Sequence, residues 1–299
     1  MTAGAGAATG RAAAPSHLRA AAWMAGWLAA MVAMAVAGRE TTRELGVSQI
    51  LELRSLIGIA LLLPLLPANG GLAALRTHRP WQHGVRNVVH YGAQFGWFFA
   101  FTLIPLAQVV AIEFTMPIWT AVLAVAFLGE RMNRWKVAAI ALGLVGVGLI
   151  VQPFAGHVAQ GQLIALAAAV GFSISLTMVK SLTRTETAYA ILFWMLVVQS
   201  AIGLAPALLT WRPVPAHLWP WVVGIAVCGT FSHYCMARAM RHADATVVVP
   251  MDFLRVPLTA LAGALLYAER IDASMAVGAL LILAGNLLNL KGAGASPPK

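Results

Sequence analysis

The sequence predicts an all-α membrane protein whose ten transmembrane helices form two inverted five-helix repeats. Three observations support this prediction: the composition, the number of apolar stretches and an internal repeat. Hydrophobic residues make up 60% of the 299 residues and charged residues only 10%, whereas a soluble domain carries about 25% charged residues. A surface with so little charge must be covered by lipid, which excludes a water-soluble globular domain.

The apolar residues gather in stretches that are long enough to cross a bilayer, which takes about 20 residues in a helix. The ten stretches are 20–38, 49–67, 83–103, 106–128, 135–152, 161–179, 188–210, 219–240, 245–266 and 273–290. Residues 1–19 are rich in Ala, Gly, Thr and Ser, which is typical of a disordered tail. We therefore expect a cytoplasmic tail over 1–19, a first five-helix repeat over 20–152 and a second over 161–291.

The net charge of +10 comes from Lys and Arg residues that lie singly between the apolar stretches. A nucleic-acid-binding protein would carry a dense basic stripe with interleaved aromatic residues, so that class is excluded. With the N-terminus inside, thirteen Lys and Arg residues fall in inside segments and four in outside segments. The positive-inside rule therefore predicts a multi-pass protein of the cytoplasmic (inner) membrane with both termini in the cytoplasm.

The internal repeat relates residues 113–131, EFTMPIWTAVLAVAFLGER, to residues 252–270, DFLRVPLTALAGALLYAER. A constant shift of 139 residues aligns the two segments, and the matched polar pairs are Glu113 with Asp252, Thr120 with Thr259, and Glu130-Arg131 with Glu269-Arg270. The alignment places span 4 over span 9, so each half holds five spans. Because five is odd, the second half crosses the membrane in the opposite sense, as in the inverted repeats of secondary transporters.

This whole-chain pattern resembles the drug/metabolite transporter superfamily, in its EamA-type branch. The resemblance covers residues 20–291 and rests on the inverted halves, the acid-Arg pairs that close spans 4 and 9, Arg54 early in span 2, and the glycine-rich span 5, Gly143-Leu144-Val145-Gly146-Val147-Gly148. It looks most like the amino-acid exporters of that branch, including those for aromatic amino acids. The resemblance implies a secondary transporter that exports small metabolites, amino acids first, by alternating access. The second half has no Arg that matches Arg54 in span 7.

A channel-like pore for small polar solutes and a drug exporter are the alternatives. A channel would carry rings of like charge or a carbonyl filter, and no such segment is evident in the sequence. The sequence contains no HExxH or GxSxG motif and no GxxxxGK[ST] loop, so neither an enzyme nor direct ATP drive is predicted. No cofactor or metal is predicted. The expected partners are a small-molecule substrate and membrane lipid, with proton coupling as a further expectation.

Span 3 carries the clearest candidate for a substrate-binding surface. His90, Gln94, Trp97 and Phe101 follow the i, i+4, i+7, i+11 spacing of one helical face. Polar groups cannot face lipid cheaply, so this face is predicted to turn inward, where its aromatic rings would stack on a substrate. The alternative is a helix–helix contact in which His90 and Gln94 hydrogen-bond a neighbouring helix.

The acids inside spans are also candidates, because ionisable residues in a membrane are costly. Glu113 and Asp252 would bind a substrate ammonium, hold a proton or pair in a gate, whereas a structural ion pair with Arg255 is the alternative for Asp252. The remaining substrate-binding candidates are Trp119, Trp194 and Ser173. The two tryptophans are either core or cavity lining, and the Ser173 hydroxyl either faces a cavity or bonds its own helix. At the outer end of span 2, Glu52 and Arg54 are expected to snorkel to the interface as structural anchors, with a gate as the alternative.

Overall fold

The computed structural model describes residues 17–128, 133–151, 158–182, 185–240, 242, 248, 251–270 and 272–294. Every regular element in these residues is helical, which confirms the all-α class. The helices are α1 His17–Thr41, α2 Val47–Leu62, α3 Pro80–Ala100, α4 Leu106–Glu113, α5 Met116–Leu128, α6 Arg134–Val151, α7 Gln160–Leu182, α8 Ala188–Leu209, α9 Trp219–Met240, α10 Arg255–Tyr267 and α11 Ala273–Gly294. Three short 3-10 turns between Leu63 and Leu75 join α2 to α3, and another precedes α9.

Seven segments of the described chain are long and apolar enough to cross a membrane, so the protein is a multi-pass membrane protein. They are Leu18–Thr41, Val47–Leu65, Leu106–Leu123, Arg134–Val151, Gln160–Val179, Ala188–Leu209 and Ala273–Lys291. Helices α3 and α9 have the length but not the hydropathy, since α3 carries a row of polar side chains. Helix α10 has only 13 residues. The count of ten spans therefore stays a prediction.

Predicted span 4 is divided into α4 and α5 by a break at Phe114 and Thr115. Pro117 accounts for the break, because proline lacks an N–H and its ring collides with the preceding turn. The carbonyls at the break accept hydrogen bonds from other helices: Asn286 Nδ2 to Phe114 O at 2.8 Å, Ser173 Oγ to Met116 O at 2.9 Å and Asn289 Nδ2 to Pro117 O at 3.4 Å. Because the Ile118 N–H donates to Thr115 O, the Asn286 amide supplies the donor that Phe114 O would have had in a continuous helix.

The second half has the same break at the equivalent position. A turn at Phe253 and Leu254 interrupts the α-helical hydrogen bonding, and α10 begins at Arg255, 139 residues after α5 begins at Met116. Helices α5 and α10 both have 13 residues. The rings of Phe114 and Phe253 pack edge to face with centroids 5.7 Å apart. Contact between residues that the repeat equates is expected where a pseudo-twofold axis passes between the two halves.

The helix pairs that pack most extensively are α1 with α9, α2 with α8, α3 with α7 and α6 with α11. The repeat equates α1 with α7 and α3 with α9, so exchanging the two halves converts the α1–α9 pair into the α3–α7 pair. The α2–α8 pair and the α6–α11 pair are each converted into themselves. In the contact of α6 with α11, Gly146 lies against Gly278 and Ala139 lies against Gly285. The shift of 139 residues equates Gly146 with Gly285 and Ala139 with Gly278, so the two contacts are equivalent in the repeat. A Cβ atom on Gly146 would lie 2.6 Å from the Gly278 carbonyl oxygen, so this close approach requires glycine.

One end of the bundle, which we name the Glu269 end, is closed by a carboxylate. The backbone of Ala268 adopts a left-handed conformation with φ 52° and turns Glu269 back beneath the start of α4. The Glu269 carboxylate accepts from the Leu106 N–H at 3.0 Å and lies 3.7 Å from Arg39. Burial raises the pKa of the Glu269 carboxyl, and the Leu106 N–H and Arg39 oppose that shift without cancelling it. Gly263 leaves the space that the carboxylate occupies.

The opposite end, which we name the Glu186 end, is held by a second buried acid. Glu186 lies between α7 and α8 with its side chain only 4% exposed. Its carboxylate accepts from the Thr77 hydroxyl and contacts His83 Nε2 at 2.5 Å, so it ties the α7–α8 connection to the start of α3. The next residue, Thr187, caps α8 by accepting from the Ala190 N–H.

Replacing Glu186 with Gln should lower the thermal stability at neutral pH. Burial alone would raise the pKa of the Glu186 carboxyl, but hydrogen bonds from Thr77 and His83 outweigh it, together with the charges of His83 and His78, and the net shift is downward. The ionised carboxylate therefore stabilises the fold above its ordinary pKa of 4.5, and this contribution is lost as pH falls through the lower folded value. We expect a loss of about 1–2 kcal/mol at neutral pH.

The measurement is the unfolding temperature in detergent as a function of pH. Glu44→Gln is the control, because the pair of Glu44 with His217 is exposed on both sides. The difference between wild type and Glu186→Gln should shrink as the solution is acidified. A difference that stays constant over the acid range would contradict the assignment.

Candidate transport site

The centre of the site is an arginine shared by two acids at the two helix breaks. Glu113 is the last residue of α4, and Arg255 is the first residue of α10. Arg255 Nη2 lies 2.9 Å from Glu113 Oε1, and Arg255 Nε lies 3.5 Å from Asp252 Oδ1. One guanidinium thus bridges a carboxylate from each half, and two carboxylates with one guanidinium give a formal charge of −1.

Two tryptophans complete this group by donating to the same carboxylates. Trp97 Nε1 on α3 donates to Glu113 Oε2 at 2.8 Å, and Trp27 Nε1 on α1 donates to Asp252 Oδ1 at 2.6 Å. We call Arg255, Glu113, Asp252, Trp97 and Trp27 the Arg255 cluster. The Phe114 ring adds a cation–π contact, with its centroid 4.7 Å from the Arg255 guanidinium carbon. Charge and aromatic surface therefore occur together where both halves meet.

The other three residues of the predicted α3 face lie along the helix on either side of Trp97. Phe101, just past the end of α3, is fully buried with its ring centroid 4.3 Å from that of Trp97. Gln94 Oε1 accepts from Arg54 Nη1 at 3.1 Å. His90 Nδ1 lies 3.1 Å from Ser175 Oγ, and its ring packs edge to face on Phe172. The polar groups of this face therefore bond neighbouring helices, and Trp97 contacts Glu113. That the face binds a substrate stays a prediction.

Of the other predicted residues, two lie at the α4–α5 break and one lies near the Glu186 end. Ser173 Oγ is within hydrogen-bonding distance of Ala169 O on its own helix and of Met116 O at the α4–α5 break. Trp119 Nε1 donates to Thr115 Oγ1 at the same break. Trp194 Nε1 donates to Leu75 O, and its ring lies 6.3 Å from that of His83, near the Glu186 end. The structure thus gathers Trp97, Glu113 and Asp252 in one cluster and places Trp194 outside it.

The expectation that Glu52 and Arg54 snorkel to the interface was wrong. Their exposed fractions are 1% and 6%, because α3, α8 and α9 pack around this part of α2. Arg54 Nη1 also lies 3.4 Å from Gln199 Oε1 on α8, and Ser200 donates to Glu52. Sequence reasoning missed Gln199, for which the signal was a polar side chain in the middle of an apolar span.

Sequence reasoning also passed over Arg86, another charged residue within a helix of the bundle. It is 6% exposed. Its Nε donates to Ser175 Oγ at 3.0 Å and its Nη1 to Asn87 Oδ1 at 2.7 Å. Ser175 therefore contacts both Arg86 and His90, which extends the polar network along α3 toward the Glu186 end.

A bundle of apolar helices with charged side chains at two opposed helix breaks is the architecture of a membrane transporter. The chain belongs to the EamA-like transporter family, whose sequence profile matches it twice, over residues 18–152 and 159–291. This confirms the resemblance to the EamA-type branch. The chain is therefore a membrane transporter and not an enzyme.

Similar proteins carry several substrate names. A riboflavin transporter of Rhizobium johnstonii is 33% identical over 223 residues, 74% of each chain. An S-adenosylmethionine uptake transporter of Rickettsia prowazekii is 25% identical over 73% of this chain and 74% of that one. A pseudopaline exporter of Pseudomonas aeruginosa is 29% identical over 82% of this chain and 86% of that one. These names do not single out amino acids.

A solved crystal structure also matches the fold. It covers 93% of this chain and 100% of its own chain with a TM-score of 0.64 at 22% sequence identity. At that identity, the likeness concerns the fold alone. The helical architecture of the described residues is therefore one that occurs in an experimental structure.

Proposed function

We propose that this protein is a secondary transporter that moves a small metabolite across the cytoplasmic membrane by alternating access. The observation that carries the proposal is the sharing of Arg255 between Glu113 and Asp252, one acid from each half. Two inverted five-helix repeats, 20–152 and 161–291, would rock about the Phe114–Phe253 contact. Both termini would lie in the cytoplasm, so that the Glu269 end faces outward and the Glu186 end inward.

The Arg255 cluster offers a way to couple binding to this motion. A substrate ammonium or a proton that neutralises one acid would weaken its ion pair with Arg255, while Arg255 keeps the other acid. Since the acids stand at breaks in opposite halves, each choice of partner favours a different arrangement of α4 and α10. A ligand shifts a conformational equilibrium only through such differential contacts.

The same cluster suggests a substrate that combines a flat ring with a cationic group. The indoles of Trp97 and Trp27 and the ring of Phe114 surround the two carboxylates. An aromatic amino acid is the simplest metabolite of this kind, and we propose amino acids as the first substrates to examine. Riboflavin and S-adenosylmethionine, for which two relatives are named, also carry flat nitrogen heterocycles.

Uptake by proteoliposomes tests the proposal. The protein is reconstituted and supplied with labelled L-phenylalanine, L-tryptophan, riboflavin and S-adenosylmethionine, with imposed proton gradients of both signs. We expect saturable uptake of at least one of these solutes, above that of protein-free liposomes. Uptake equal to that of protein-free liposomes for all four, under every gradient, would contradict the proposal.

A further inference from the structure

Arg54 is a buried cation that lacks the carboxylate partners which Arg255 has. Its side chain is 6% exposed, and its hydrogen bonds go to the neutral amide oxygens of Gln94 and Gln199. Within the described part of the chain, no carboxylate oxygen lies within 4 Å of its guanidinium. A buried charge normally has an ionic partner, so this arrangement calls for an anion that is not part of the described chain.

The neighbouring charges leave this region positive. In the described parts of the chain, Arg86 also bonds only neutral groups, and it repels Arg54. The nearby acid is Glu52, whose Oε1 accepts from Ser200 while its Oε2 lies against Gly203. Two guanidiniums and one carboxylate leave a net charge of +1. Gln199 Nε2 is also buried and has no hydrogen-bond partner among the residues that the structure describes, so it is a second donor beside Arg54.

The unused edge of Arg54 lies beside Gly229 on α9. Among the described residues, the Arg54 guanidinium donates only through Nη1, and its Nε and Nη2 lie close to Gly229. A Cβ atom built on Gly229 would lie 3.5 Å from Nε and 3.7 Å from Nη2, with Met34 Sδ also 3.7 Å away. Two adjacent N–H groups on one guanidinium edge can bind both oxygens of a carboxylate or phosphate at once. Glycine at position 229 lacks the methyl group that would lie in van der Waals contact with this edge.

We propose that the Nε–Nη2 edge of Arg54, together with the Gln199 amide, is an anion subsite for a carboxylate or phosphate group of the transported metabolite. The proposal rests on the proposed function and extends it. Gln94, which contacts Arg54, is three residues from Trp97, which contacts Glu113, so about 4.5 Å of helix rise separates the two on α3. The substrate class is then a metabolite with a cationic group for the Arg255 cluster and an anionic group for Arg54.

Three variants separate this subsite from a structural role of Arg54. Arg54→Gln removes the charge and keeps a polar side chain. Gly229→Ala leaves Arg54 in place and puts a methyl group in front of its free edge. Gly224→Ala is the matched control on the same helix, because a Cβ atom there meets nothing within 4 Å.

The measurement is the thermal unfolding of the purified full chain in detergent, titrated with two pairs of probes at constant ionic strength. L-phenylalanine is compared with phenethylamine, which lacks the carboxylate, and riboflavin phosphate with riboflavin, which lacks the phosphate. In at least one pair, the probe that carries the anionic group should stabilise the wild type more strongly. Arg54→Gln and Gly229→Ala should weaken the apparent affinity for that probe by about tenfold or more, without weakening the affinity for the counterpart that lacks the anionic group.

The pair that responds shows whether the subsite takes a carboxylate or a phosphate. Equal stabilisation within both pairs, or a preference that survives both Arg54→Gln and Gly229→Ala, overturns the subsite. If Arg54→Gln does not fold, Gly229→Ala decides alone. Because binding is measured and not flux, a failure of the uptake experiment stays distinguishable from a failure of the subsite.

Discussion

Replacing Arg255 with Gln should severely destabilise the protein. Glu113 and Asp252 have side chains only 13% and 16% exposed, and both contact the Arg255 guanidinium. Without it, two carboxylates of like charge remain at the helix breaks, and the other donors to them in the described residues are the indole N–H groups of Trp97 and Trp27. Removing one member of a buried ion pair costs about 3–5 kcal/mol. The measurement is the yield and unfolding temperature in detergent.

The control for this prediction is Arg43→Gln, since the pair of Arg43 with Glu40 lies at the surface and should matter little. Neutralising both acids together with Arg255 should recover much of the stability, because no unpaired charge is then left in the cluster. A wild-type unfolding temperature in Arg255→Gln alone would show that the ion pairs do not hold the breaks together.

Glu113→Gln should abolish most of the transport while leaving the fold intact. Gln fits the volume of Glu and still accepts from the Trp97 indole, and Arg255 keeps its contact with Asp252. The variant loses a charge that a substrate cation or a proton would exchange with Arg255. An interaction of a charged group is worth about 1.5–3 kcal/mol, which corresponds to a loss of flux of about ten- to a hundredfold. Flux in proteoliposomes at two pH values, beside the unfolding temperature, measures both consequences.

The control for transport is Glu44→Gln, which changes an exposed acid outside the cluster and should keep wild-type flux. Asp252→Asn is expected to be milder for stability than Arg255→Gln, because Arg255 retains Glu113 at 2.9 Å. Wild-type flux with unchanged pH dependence in Glu113→Gln would reduce that residue to a structural role.

The repeat could be recognised in the sequence because each of its two segments, 113–131 and 252–270, is a continuous stretch of chain. The shift of 139 residues equated Glu113 with Asp252, and the structure places helix breaks directly after both residues. The breaks themselves were not predictable in register. Pro117 indicates a kink, but where the helix stops depends on Asn286 and Ser173, which come from α11 and α7 and satisfy the free carbonyls.

The candidate site was predictable where its residues share one helix or where the repeat equates them, as it does Glu113 and Asp252. The spacing of His90, Gln94, Trp97 and Phe101 selected a face of α3 that contacts both charged regions. The partners across the bundle carry no such signal. Arg255 is 142 residues from Glu113, and Trp27 is 225 residues from Asp252, where it reads as one more apolar residue of α1. Likewise, nearness to the end of α2 suggested exposure for Arg54, whereas the packing of three other helices buries it.

Counterflow in proteoliposomes tests most directly whether the protein alternates access. Liposomes are loaded with a high concentration of unlabelled L-phenylalanine, or of riboflavin, and diluted into a trace of the same labelled solute. A carrier with one substrate site open to one side at a time should accumulate the label transiently above its equilibrium level. A channel-like pore would let both pools equilibrate without any overshoot. We predict that wild type shows an overshoot of the label and that Glu113→Gln does not. Equilibration of the label by wild type without an overshoot, at a rate that does not saturate with concentration, would contradict alternating access.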